Sequence, residues 1–92
     1  MSAANTIPQL SDRISQTLAE LGAGDQVLRQ LLQSAASAIS IARSPEALAP
    51  TIGALGRFAV DEMDPTHPYS AHVSEILRIY QAMVRAERRE AR

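Results

Sequence analysis

Residues 67–89 read HPYSAHVSEILRIYQAMVRAERR, and the spacing of their apolar side chains decides the fold. At the helical 100° per residue, Val73, Ile76, Leu77, Ile79, Tyr80, Met83 and Val84 fall in one arc of roughly 160°. A surface helix needs a stripe of only about 100°. The excess predicts a long helix over 68–89 that the rest of the chain packs on one side and a second copy packs on the other. The dimer contact is expected from Val73, Ile76, Leu77, Tyr80, Met83 and Val84. Continuing the count puts Glu87 in the middle of the arc, so the core stops at Val84.

Working back from this helix, Asp64-Pro65-Thr66-His67-Pro68 is a stop, because a residue before proline avoids the helical region. Upstream, Ile52, Leu55, Ala59 and Met63 give a core stripe for a helix over 50–63. Pro50 starts this helix rather than interrupting one, since mid-helix it would lose a hydrogen bond and clash. Pro45 to Ala49, after a Ser44 cap, reads as a short turn. Gly53 and Gly56 weaken the helix and are expected to permit a tight helix contact.

A helix over 25–43 opens on an Asp25 cap and shows Val27, Leu28, Leu31, Leu32, Ala35, Ala38, Ile39 and Ala42 on one face. The first helix, over 7–21, follows a Thr6–Gln9 capping box and carries the seam Ile7, Leu10, Ile14, Leu18, Leu21. Gly22 and Gly24 suit its C-terminal end. Residues 1–5 are small and polar and are expected to be disordered, leaving 6–92 as a single helical domain. The fold class is all-α: a small antiparallel bundle of about four helices, dimerising through the last one.

Composition narrows the function. The chain has 92 residues, net charge −1, no cysteine and no lysine. Disulfides and thiolate metal sites are excluded, and no overall basic field for nucleic acid exists. One Phe, two Tyr and no Trp argue against base-stacking platforms. MSAANTIPQ has neither a basic segment nor an apolar run, and no stretch nears the ~20 apolar residues of a membrane span, so cytoplasmic placement is expected. Arg-only usage with abundant Ala points to a GC-rich bacterial genome.

Three chemistries can be set against these residues. Asp61, Glu62, Asp64, His67 and His72 are metal-ligand types, but their spacing matches no ligand signature, and a solvated interhelix loop accounts for them. No nucleophile motif or phosphate loop is present, so no enzyme and no cofactor are expected. The only basic stretch, RAERREAR at 85–92, interleaves Arg85, Arg88, Arg89 and Arg92 with Glu87 and Glu90. Cations suit a helix C-terminus, and the acids would repel phosphate.

Protein recognition remains. Ile41 and Phe58 lie off their own core stripes, and the nearly uncharged face around Arg29, Gln33 and Ser37 is unlike a charged exterior. The expected partner surface is Phe58, Ile41, Arg29, Gln33 and Ser37. The reading is a small cytoplasmic homodimeric regulator that binds and masks a larger protein, such as an antiactivator sequestering a transcription factor. The alternatives are a DNA-binding regulator using the C-terminal arginines, a secretion-type chaperone, and a small metal protein or enzyme using the Asp61–His72 loop.

Overall fold

The computed structural model describes residues 7–21, 25–42, 44–64 and 66–90. The chain forms α1 (Ile7–Leu21), α2 (Gln26–Ile41), a 3-10 turn (Pro45–Leu48), α3 (Ala49–Glu62) and α4 (Ser70–Glu90). No strand occurs among the described residues. Thr6, Gly22, Gly24 and Arg43, and the expected tail at 1–5, lie outside the described residues.

Each helix packs on the next and α4 closes onto α1, so the four make a ring around one core. Leu10 and Ile14 of α1, Leu28 and Leu32 of α2, Ile52 and Leu55 of α3, and Ile76 and Ile79 of α4 are all buried at its centre. The α1 bounds are those read from its seam. Its buried face is turned slightly from expectation, toward Thr17 rather than Leu18, which is half-buried. Thr17 tolerates burial because its hydroxyl donates to the Arg13 carbonyl at 2.9 Å.

Asp25 caps α2 with backbone φ of 44°, a left-handed conformation that Asp adopts more readily than most residues. Its carboxylate accepts the Leu28 N–H at 3.4 Å. Val27, placed on the apolar face by the sequence pattern, is 57% exposed. It belongs to the first turn of α2, and Leu28 beside it takes the core position.

Ser44 is extended and makes no side-chain cap. Pro50 falls in the first turn of α3, where its missing N–H has no intrahelical partner to lose. The short turn before it has a larger role than expected. Leu48 is fully buried, and the turn packs on α2, α3 and α4 together. The glycine reading also changes. A Cβ on Gly53 would meet open space, and one on Gly56 would make an ordinary contact 3.7 Å from Leu77 Cδ2. Neither glycine is required for packing within the chain.

The last helix starts at Ser70, two residues later than the sequence suggests. Tyr69 donates its N–H to His67 Nδ1 at 3.1 Å, and His67 and Ser70 close successive turns onto the carbonyls of Asp64 and His67. These bonds occupy the backbone before α4 begins.

Replacing Leu48 by Ala should cost about 2–5 kcal/mol, as for other fully buried Leu side chains. The exposed Val60→Ala should move stability by no more than about 0.5 kcal/mol. Chemical denaturation of the two variants separates a core turn from a mere connector.

Candidate interaction surfaces

Val73, Ile76, Ile79 and Met83 are buried inside the protomer. The wide arc of α4 is covered by its own chain, because α1, α3 and the 3-10 turn all pack on it. Val73, Ile76 and Met83 are therefore core residues and are corrected from dimer contact to core. Leu77, Tyr80 and Val84 stay partly exposed and keep the availability that a contact needs.

Leu77 and Tyr80 border a groove. Gly53, Gly56 and Val60 of α3 face Leu77, Tyr80 and Gln81 of α4 across it. Val60 is 83% exposed, the most exposed large apolar side chain among the described residues. Tyr80 and Gln81 also belong to a second depression, which continues along α4 past Val84 to Arg85 and Arg88. The Tyr80 hydroxyl donates to the Pro45 carbonyl at 3.1 Å, which fixes the ring at the junction. Burial, with Glu46 and Glu87 nearby, pushes that phenol above its usual range, so it remains a donor at neutral pH.

A second surface lies on the outside of α2. Val27, Leu31, Ser34, Ala38 and Ile41 are spaced by alternating steps of four and three, the pattern of a helix–helix seam. Its ends, Val27 and Ile41, are 57% and 80% exposed, and Ser34 at its middle is exposed. Leu31 and Ala38 touch the core from its edge. Gln30, Gln33, Ser34 and Ser37 form a shallow depression beside it, without a charged group. Ile41, Gln33 and Ser37 are thus exposed on one helix, while Arg29 is half-buried at its start. Phe58 is not part of this surface. It is half-buried and packs against the core, because the flank of α3 it occupies still meets the bundle.

The acidic–histidine loop is a clasp. His67 Nε2 lies 3.0 Å from Asp25 Oδ2, and His72 Nε2 lies 3.2 Å from Glu20 Oε1. The Tyr69 hydroxyl donates to the Glu20 carbonyl at 3.1 Å, with its ring between the two imidazoles. Since His67 Nδ1 accepts from Tyr69 N–H, its proton sits on Nε2 and is given to Asp25. The same loop orders itself at Asp64, whose Oδ1 accepts both the hydroxyl and the N–H of Thr66. Those bonds, with His67 nearby, hold the Asp64 carboxyl below its ordinary 3.8. Its stabilising effect is present above that value and fades as pH falls through the lower folded value. Asp61 and Glu62 are exposed at the α3 terminus and form no ion pair among the described residues, with Arg57 or otherwise. No three acidic or imidazole groups among the described residues are gathered as a metal site.

No helix among the described residues is long and apolar enough to cross a membrane. No known protein family, curated protein or solved structure matches the chain.

Two measurements check these placements. Phe58→Ala should lower stability by about 2 kcal/mol, roughly half the 3–5 kcal/mol of a fully buried Phe. Because no three acidic or imidazole groups among the described residues are gathered, neither chelator nor Zn²⁺ should move the melting temperature, whereas a ligand of the native state would raise it.

Proposed function

We propose that this chain is a protein-interaction regulator that docks an apolar helix of a larger protein against the outer seam of α2 and so masks it. The observation that carries the reading is the exposure of Val27 and Ile41 at the two ends of an uncharged, helically spaced seam. A partner helix approaching such a seam finds small side chains at its centre, Ser34 and Ala38, and apolar anchors at its ends. Contacts at the i, i+4, i+7 spacing are how amphipathic helices are read by helical surfaces. Charge is depleted there as it is in interface cores. Sequestration of a cytoplasmic transcription factor, an antiactivator role, is the form of masking we favour.

The test uses the wild-type chain and a Val27→Glu/Ile41→Glu variant as paired baits in an extract of the native cell. A specific partner retained by the wild type should bind the variant at least about thirty-fold more weakly, as loss of about 2 kcal/mol of anchor contacts implies. Adding the chain to that partner should abolish its binding to its operator DNA. Equal retention by both baits would place the partner surface elsewhere.

A further inference from the structure

The α3–α4 groove lies away from the α2 seam, and its charges are arranged in a way that selects its occupant. At one end of the groove stand Val60 and, one residue on, Asp61, with Glu62 and Asp64 beyond. At the other end stand Arg85 and Arg88. None of Asp61, Glu62, Arg85 or Arg88 forms an ion pair among the described residues. Asp61 and Glu62 also sit in the last turn of α3, where the helix dipole disfavours negative charge.

The two ends are equidistant from the groove centre. Gly56 meets Leu77, and α3 and α4 run antiparallel, so three residues back along α3 and three on along α4 Gly53 comes level with Tyr80. From Gly53 to Asp61 is eight residues, and from Tyr80 to Arg88 is eight. Each step is about 12 Å at 1.5 Å per helical residue. A two-fold axis crossing the groove reverses the helix direction in the second molecule, and residues equally far from the axis then face each other.

We infer that the groove binds a second copy of this chain about a two-fold axis over Gly53 and Tyr80, with Arg88 of each protomer set against Asp61 of the other. Gly53, with open space above it, lets the second molecule come close at the axis. Val60, Leu77 and Val84 supply the apolar contact on either side. The charges that work against the pairing are Arg57, a turn inside Asp61, and Glu46 and Glu87 near Tyr80. Arg57 comes opposite Val84 in this register. The acids still outnumber Arg57 at one end; at the other Arg85, Arg88 and Arg89 equal Glu46, Glu87 and Glu90 in number, and it is Arg85 and Arg88 that line the depression.

The experiment is sedimentation of the full chain and five variants, with helicity monitored by circular dichroism. The wild type should sediment at twice its 9.9 kDa mass, at about 50 μM, a concentration that a modest interface reaches. Arg88→Asp and Asp61→Arg should each weaken the dimer at least about ten-fold, as loss of a close charge pair does. The combination of the two should restore it to within about three-fold, since the swapped pair is again complementary. Gly53→Arg should give a folded monomer, because the introduced side chains meet at the axis. The Val27→Glu/Ile41→Glu variant should dimerise like the wild type, which keeps this result separate from the fate of the α2 seam. A wild-type monomer at about 200 μM overturns the inference. So does a dimer that Gly53→Arg leaves intact, or a charge swap that fails to restore association.

Discussion

The fold depends on covering one helix. Val73, Ile76, Ile79 and Met83 give α4 an apolar face too wide for a single neighbour, and the chain answers with three elements around it: α1, α3 and the 3-10 turn. The turn is what makes this possible in 92 residues. Two helices packed on a third leave a gap between them, and Leu48 fills it from a segment of four residues. A small domain buries a limited share of its surface, so a fully enclosed Leu outside the helices is a sizeable part of its core. The arrangement also decides what is left over. Leu77, Tyr80 and Val84 lie at the edge of the covered face: Leu77 and Tyr80 become a wall of the α3–α4 groove, and Val84 lines the depression that continues along α4.

The far end of the bundle is held differently. Here Asp25 serves two chains of contact with one carboxylate, capping α2 through one oxygen and accepting from His67 through the other. His72 and Tyr69 tie the same loop to Glu20 at the end of α1. These polar links are partly exposed, so each contributes less than a buried bond would. Their effect is positional: they set where α4 begins relative to α1 and α2, and hence the register in which its apolar face meets the core. Of the residues that look most like chemistry in the sequence, the two histidines are thus engaged in joining elements, and Asp64 orders its own loop.

Local signals were legible wherever they repeat at the helical period or punctuate it. The α1 bounds, the Asp25 cap, the Pro50 start and the stripe of α3 all follow from spacing and from Pro or Asp chemistry. What escaped was pairing across the chain. Leu48 stands alone among Pro, Glu and Ala, so no periodicity marks it as core. Asp25 and His67 are 42 residues apart, and nothing in either neighbourhood announces the other. The width of the α4 arc was read correctly, but width does not say which molecule supplies the cover. The seam on α2 is visible only in part: Ile41 and the Gln/Ser face stand out in the pattern, while the angle of Val27 at a helix start suits the core face as well.

The arginines of α4 are where the competing readings part. The last core residue of the helix is Met83, so the turns carrying Arg85, Arg88 and Arg89 continue past the packed core. Helical turns without such packing are marginal on their own, and cations near a helix C-terminus offset the dipole there. That accounts for arginine at the end of α4 but not for its distribution. A duplex-binding surface gathers cations so that several phosphates are neutralised at once, and its affinity then falls steeply with salt. Here Glu87 divides Arg85 from Arg88, and both arginines border an apolar depression with Tyr80 and Val84. Cations spaced by an acid and set beside apolar surface are poorly placed for a phosphate backbone. They are well placed to close the rim of a protein contact, where a few charges fix the register and the apolar groove between them supplies most of the affinity.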